Sequence, residues 1–472
     1  MPKDALLFVN PYIEDFSAYD HFMKPYGLLL LAAQFCESHE VYYLDAQARK
    51  DQVDRGPRSP AGTKGRKNRT QYDFCDPLSP LSSESLCGPL VSEKIQTPEV
   101  LSGVPRPYRR YGIAAGDFIA KAKALPAPPK YIFVTSMMTY WCGGVRYTIS
   151  LLREIFPGAK ILLGGNYACL LPEHARASSG ADYVVAHKSL ESAVRETRAI
   201  IAADEAGSAG ARPLTHIPLW DILETKTWLP VLTTRGCPYR CSYCAGWTLE
   251  PFSVLENAKA LELFTRARER YGTRAFAFYD DALLMHSAAH ALPLFRELAR
   301  RFSDIQLFTP NGVHARQITP ELAESMRACG FADVRLSLES SDDAYTRSSG
   351  ENGAKVTQAD FTRAVGYLYD AGFKRGVIKA YCMAGAPGVS TESVHDTLEF
   401  ARAQAVVPML SWYGPVPGSR DFAELASRFD LSDPLTHNNT AWIYRAEESG
   451  AAADAYQELK HHEADVRREV RS

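Results

Sequence analysis

Short runs of aliphatic and β-branched residues alternate with stretches of helical periodicity through most of this chain, and that alternation constrains the fold more than any other feature. Repeated strand–helix units return to one sheet by crossovers, so they build parallel sheets. Two series are present. The first predicts strands at 5–9, 41–44, 131–135, 160–163 and 183–185, with helices at 27–38, 144–155 and 189–202. That is the pattern of a small doubly wound α/β domain. The second predicts strands at 230–234, 275–279, 306–309, 334–338, 377–382 and 409–412, with helices at 254–270, 287–301, 320–329, 358–371 and 391–405. Six strands with five helices between them imply a full or partial parallel barrel, whose chemistry belongs at the carboxyl ends of its strands.

The 472 residues divide on this reading into a first domain at 1–202, a linker at 203–224 of small and polar residues, a barrel at 225–420 and a charged, helical tail at 421–472. The connection 46–130 is far longer than an ordinary crossover. Within it, residues 49–69 carry eight basic side chains against two acidic ones in a Pro/Gly/Ser-rich stretch. A solvated insert is expected there, and an anion-binding arm is the alternative; no aromatic residues interleave with the basic run as stacking on bases requires. The later piece 105–112, Pro-Arg-Pro-Tyr-Arg-Arg-Tyr-Gly, has both aromatics and arginines and is a candidate cap for a pocket.

Lys plus Arg number 53 against 55 Asp plus Glu, so the net charge of −2 carries no global polyanion-binding signal. Neither a signal peptide nor an apolar run long enough to span a membrane is legible, and a cytoplasmic location is expected. Ten cysteines are too few and too scattered for a disulfide scaffold, so Cys36, Cys75, Cys87, Cys142, Cys169, Cys329 and Cys382 are expected to be unpaired thiols.

The other three have ligand spacing. Directly after the first barrel strand, Cys237, Cys241 and Cys244 stand as C-x₃-C-x₂-C, with Tyr243 immediately before the last. Three thiolates on one loop suit three irons of a cubane and leave the fourth open. A structural zinc site needs four protein ligands, and no histidine follows before His286.

This motif resembles the signature of the radical S-adenosylmethionine (SAM) superfamily, and the resemblance extends over most of 225–420. Asp280 and Asp281, after the second barrel strand, stand where such enzymes meet the SAM amino group. Ser337 and Glu339 resemble the fourth-strand segment that meets the ribose; 381–388 and 414–418 resemble the fifth- and sixth-strand endings. The resemblance implies a [4Fe–4S] cluster on the three cysteines and SAM held by Tyr243, Asp280, Asp281, Asn311, Ser337 and Glu339. Adjacent strand residues face opposite ways, so one of the two aspartates is expected to point inward and the other to cap the next helix. A turn is the other reading of Asn311, and a surface ion pair the other reading of Glu339.

The first domain resembles the Rossmann-like cobalamin (B12)-binding domain that precedes a partial (βα)6 TIM-like barrel in one branch of the superfamily. Ser136, Gly164 and Gly165 would then line the slot for the nucleotide tail, glycines allowing close backbone approach. The first loop departs from Asp-x-His-x-x-Gly, since His21 adjoins Asp20 and stands six residues from Gly27. Cobalamin is therefore expected without a lower axial histidine, and His21 is expected to be a loop residue. Tyr140 and Trp141 are expected either to stack on a ring system or to pack at an interface.

The resemblance implies reductive cleavage of SAM to a 5′-deoxyadenosyl radical that abstracts hydrogen from a small-molecule or natural-product substrate, with methyl transfer if cobalamin is present. A low-potential reductant such as flavodoxin or ferredoxin is the implied partner; membrane and nucleic acid are not. Two alternatives stay open: a cobalamin-independent radical SAM enzyme whose first domain binds substrate, and a non-catalytic iron–sulfur or zinc module that holds nucleic acid.

Overall fold

The computed structural model describes residues 3–50, 86–187, 189–205, 213–350, 355–446 and 451–472. Most of the basic insert lies outside these residues, as do 206–212 of the linker and Cys75.

The first sheet comprises β1 (Ala5–Asn10), β2 (Glu40–Asp45), β3 (Tyr131–Val134), β4 (Lys160–Leu163) and β5 (Tyr183–Val184), all parallel in the order β5-β4-β3-β1-β2. Alternate residues feed two cores. Leu7, Val9, Ile132, Val134, Ile161 and Leu163 pack on one face, while Leu6, Phe8, Tyr131, Phe133 and Leu162 pack on the other. Burial on both faces explains why these strands read as continuous apolar runs. Helices α1 (Tyr26–Ala33), α2 (Ala115–Lys123), α3 (Cys142–Ile155), α4 (Asn166–Leu170) and α5 (Leu190–Glu205) connect or flank them. Strand order reverses between β1 and β3, and the carboxyl ends beside such a switch point are the usual ligand position in doubly wound sheets.

The second sheet runs β6 (Trp228–Val231), β7 (Ala275–Phe278), β8 (Gln306–Phe308), β9 (Phe331–Glu339), β10 (Ile378–Ala384) and β11 (Val407–Trp412), parallel and neighbouring in chain order. Helices α6 (Asn257–Tyr271), α7 (Ala291–Arg301), α8 (Pro320–Ala328), α9 (Gln358–Asp370) and α10 (Thr391–Ala403) fill the gaps as predicted. Leu229, Phe276, Phe278, Leu307 and Leu336 join the core that these helices cover. The opposite faces of the strands carry Ala275, Ala277 and Phe308, which meet Phe22, Leu86 and Cys87 from the first 90 residues. The first domain therefore fills part of the barrel's interior.

One expected boundary changes. Strand β6 ends at Val231 rather than 234, because Thr233 and Thr234 leave it to bind Asp280. The 105–112 piece is built into the first domain. Its strand Arg109–Tyr111 lies in a small antiparallel sheet with Ile13–Asp15 and Ser92–Lys94, and Arg110 is engaged by Glu14 at 2.8 Å and by the face of Tyr147. The tail expected to be helical contains α11 (Ala451–Arg471), which packs on α10 and along β11, where Glu463 accepts the Leu410 N–H at 2.9 Å. An uncovered edge strand exposes such groups to unwanted pairing, and a helix laid along it removes them.

Candidate functional site

The cysteine loop leaves β6 through Thr233 and Thr234, both buried. Asp280, at the carboxyl end of β7, holds that departure point. Its Oδ1 accepts from Thr233 N (3.0 Å), Thr233 Oγ1 (2.7 Å), Thr234 N (2.5 Å) and Thr234 Oγ1 (2.9 Å). Oδ2 is buried with no hydrogen-bond partner among the described residues, and burial pushes the carboxyl up to about 6. Behind it, His290 bridges Thr233 Oγ1 (3.1 Å) and Asn257 Oδ1 (2.7 Å).

Asp281 faces the other way. It is exposed, its Oδ1 accepts from Asn311 Nδ2 at 3.2 Å, and its Oδ2 lies 3.8 Å from where a Cβ on Gly246 would stand, two residues past Cys244. Asn311 Nδ2 also donates to the Tyr279 carbonyl at 2.7 Å. The expected division of the pair therefore holds for orientation but not for capping: Asp280 anchors the loop, and His290 occupies the N-cap of α7.

Cys237, Cys241 and Cys244 are half-buried on the loop. The Gly246 N–H donates to Cys244 Sγ at 3.3 Å. Burial holds the Cys237 thiol up to about 12 and the Cys244 thiol up to about 11, so both are protonated unless a metal draws off the proton. Among the described residues no three His, Cys, Asp or Glu side chains converge on a single ion. Thiolates on separate corners of a cluster need no such convergence, and the donor set fits iron–sulfur ligation.

Opposite the loop, Glu339 stands at the end of β9, where the register with β10 shifts between Ser337 and Glu339 and where Glu339 has φ +66°. A bulge re-aims a side chain, and a positive φ at a non-glycine residue is strain that the surroundings must maintain. Sequence reasoning missed its neighbour. Lys355, 7% exposed, reaches Glu339 Oε1 at 3.6 Å and lies 4.7 Å over the ring of Tyr243. Burial alone would lower its pKa, but Glu339, Cys241 and Cys244 outweigh burial and hold the ammonium above its ordinary range. Only folding brings residue 355 beside residues 241–244, so no sequence motif announced it. The Tyr243 hydroxyl is buried without a hydrogen-bond partner among the described residues. Ser337 instead donates to the Val313 carbonyl at 3.3 Å, bracing two strands.

In the first domain, Ser136 follows β3 and donates to the Gly164 carbonyl at 2.7 Å. Gly165 has φ +92°, and a Cβ there would fall 2.2 Å from the Ser136 carbonyl oxygen, so only glycine fits. At Gly164 a Cβ would meet nothing nearer than Val185 O at 3.9 Å. That open cradle is compatible with a bulky ligand. His21 is exposed, its ring 4.5 Å from that of Tyr19. Trp141 donates to Asp15 Oδ2 at 2.8 Å, and Tyr140 packs edge-on against Trp141.

The two carboxyl edges meet. A Cβ on Gly418 would lie 3.9 Å from Leu170 Cδ2 of α4 and 3.8 Å from Ala245 Cβ, next to the last cysteine. Buried hydrogen bonds from Thr139 to His437 (3.1 Å) and from Asn438 to Asp15 (2.8 Å) hold the segment after the barrel against the first domain.

Residues 231–401 match the radical SAM superfamily. The chain carries a radical SAM domain. Such a domain works with a [4Fe–4S] cluster and SAM, and the cysteine loop, Asp281 and the Tyr243–Glu339–Lys355 group lie together at its mouth. Over 206 residues the chain is 23% identical to the bacteriochlorophyllide d C-12(1)-methyltransferase of Chlorobaculum tepidum, covering 42% of this chain and 43% of that one. The chain thus spans less than half the length of this curated relative. Its fold is similar to that of the radical SAM methyltransferase TsrM of Kitasatospora setae. One TsrM structure, with tryptophan and a SAM analogue bound, matches with TM-score 0.62 and 16% identity over 90% of this chain and 76% of the other. A second, with cobalamin and a [4Fe–4S] cluster bound, matches with TM-score 0.61 and 15% identity over 93% and 81%. The radical SAM domain here is therefore preceded by the same kind of doubly wound α/β fold. Among the described residues no helix is long and apolar enough to cross a membrane.

Proposed function

We propose that this chain is a radical SAM enzyme that transfers a methyl group to a small-molecule substrate with the help of cobalamin bound, without a lower axial histidine, between its two parallel sheets. The observation that carries the reading is the abutment of the two carboxyl edges at Gly418, Leu170 and Ala245, which sets the Ser136–Gly164–Gly165 crevice against the cysteine loop.

When bound, the cluster supplies one electron to the SAM sulfonium and cobalamin supplies a methyl carrier. The remaining work belongs to the chain. Cys237, Cys241 and Cys244 would hold the cluster. Asp281 receives the SAM ammonium, Asn311 orienting it, while Asp280 fixes the loop. Glu339, oriented by Lys355, accepts from the ribose hydroxyls, and Tyr243 provides a face for the adenine. Ser136, Gly164 and Gly165 shape the slot for the nucleotide tail. Closing the two edges on each other excludes water from the reacting groups. Residues 1–202 act as the cobalamin domain, 225–420 as the barrel, and 421–472 as the brace between them. A cytoplasmic location and a flavodoxin- or ferredoxin-type reductant fit this chemistry.

The test is anaerobic reconstitution with iron, sulfide and hydroxocobalamin, followed by dithionite and methyl-labelled SAM. Bound corrin, 5′-deoxyadenosine above a Cys237→Ala control and label transferred to an added acceptor are expected. Cleavage of SAM by protein that retains no corrin would favour the cobalamin-independent reading, and no SAM turnover at all would overturn both.

A further inference from the structure

A cavity of about 450 Å³ opens on the β2 side of the first sheet, away from the Ser136–Gly165 crevice and from the cysteine loop. Its volume lies within the range of roughly 300–1,000 Å³ usual for small-molecule sites. Of the five charged side chains that line it, Asp117, Lys121 and Glu224 are exposed, and Lys24 and Asp45 are half-buried. Lys24 Nζ donates to Trp228 O at 2.6 Å and Thr225 O at 2.9 Å and lies 4.4 Å over the Trp228 ring. That leaves one N–H undirected. Asp45, at the end of β2, is oriented by neutral donors: Asn10 Nδ2 (2.8 Å), Gln47 N (3.0 Å) and Tyr43 OH (2.9 Å). Neither side chain has an ion-pair partner within 4 Å among the described residues, whereas Lys121 and Glu224 at the rim pair with each other at 2.8 Å.

Half-buried charges without a contacting ion-pair partner are costly, and groups already oriented by neutral hydrogen bonds are preorganised to receive one. We propose that this cavity binds a small zwitterion of the α-amino-acid class, its carboxylate on Lys24 and its ammonium on Asp45. Ile113, Ala120 and Leu223 complete the wall and favour an apolar side chain. The charge states agree: burial draws Lys24 down to about 7 and Asp45 up to about 6, and an opposite charge beside each reverses both shifts. Because Lys24 also grips the start of the first barrel strand, an occupant would couple the two sheets. The site is independent of the proposed methyl transfer.

Isothermal titration of the full-length protein at pH 7.5 with each of the common L-α-amino acids tests this. At least one is expected to bind at a single site with a Kd below about 1 mM. Its N-acetyl and carboxamide derivatives are each expected to bind at least about tenfold more weakly, because one protein charge is then left unmatched. Lys24→Met and Asp45→Asn should each cost at least about tenfold, and the Cys237→Ala protein should bind normally. The derivative arm needs no variant, so a misfolded variant leaves the test intact. Absence of amino-acid binding, equal binding of the derivatives, or binding lost in Cys237→Ala and kept in Lys24→Met and Asp45→Asn would each overturn the proposal.

Discussion

The carboxyl edges of the two parallel sheets differ in how they treat polar groups. At the barrel's mouth, polar groups are held ready: the Asp280 Oδ2 and Tyr243 hydroxyl are buried without hydrogen-bond partners among the described residues, Glu339 carries a positive φ, and Asp281 stands open. At the edge of the first sheet, Ser136 is bonded to Gly164 and Gly165 fits tightly against Ser136. One edge stores unsatisfied groups and strain, which are costly unless a ligand answers them. The other offers shape, with its backbone already satisfied. Groups that bind by charge and hydrogen bonding belong at the first, and a large cofactor held by fit belongs at the second.

The largest effect that would break this contrast comes from the cysteines. Cys237→Ala is expected to abolish cluster absorbance and 5′-deoxyadenosine formation, whereas Ser136→Ala should leave both near wild type; equal loss in the two variants would erase the distinction. Next is Gly165→Ala. With a positive φ and a backbone oxygen in the way, it should destabilise the first sheet by about 3 kcal/mol and abolish corrin retention, while the isolated iron–sulfur spectrum persists.

The aspartate pair sharpens the contrast within the mouth. Asp280→Ala strands the donors of Thr233 and Thr234 and should cost about 2–3 kcal/mol in thermal or denaturant unfolding. Asp281→Ala should stay within about 0.5 kcal/mol of wild type and instead weaken SAM binding about tenfold, measured by equilibrium dialysis.

The smallest effect is a pH dependence shared by both regions. Burial lowers His290 behind the mouth to about 4 and lowers His437 in the brace, so each is neutral when folded and binds a proton more readily when unfolded. Stability is then fully present above the ordinary histidine value of about 6.5 and is lost as pH falls below it, by at most about 1.4 kcal/mol per pH unit for each group. Buried carboxyls raised to about 6, Asp280 and Asp45, gain stability over the same interval, so the histidine contribution is read as a difference: calorimetric Tm from pH 7.5 to 5 should fall more steeply, or rise less, in wild type than in His437→Gln, and equal slopes would contradict the buried neutral state.

Much of this was legible locally. Strand β4 was expected at 160–163 and forms there, because its residues pack on both faces whatever lies beyond. The cysteine loop was legible for a similar reason: its ligand spacing is contained within eight residues. Asp280 and Asp281 were legible as a pair but not in their roles, since the alternation of a strand names two faces without saying which one meets the loop. Lys355 and Glu463 were not legible at all. One acts on a loop more than a hundred residues earlier, the other caps a strand edge 53 residues away, and nothing in their neighbours signals either contact.

The sequence by itself determined the two series of βα units, the thiolate set and the absence of an axial histidine at the expected spacing, because periodicity and short spacings are properties of contiguous chain. Only the tertiary structure decided which aspartate faces the cluster loop, that Phe22 enters the barrel, that the final helix seals β11, and that Lys24 and Asp45 line one cavity. Those outcomes depend on distances between residues far apart in the chain, and such distances are set by packing.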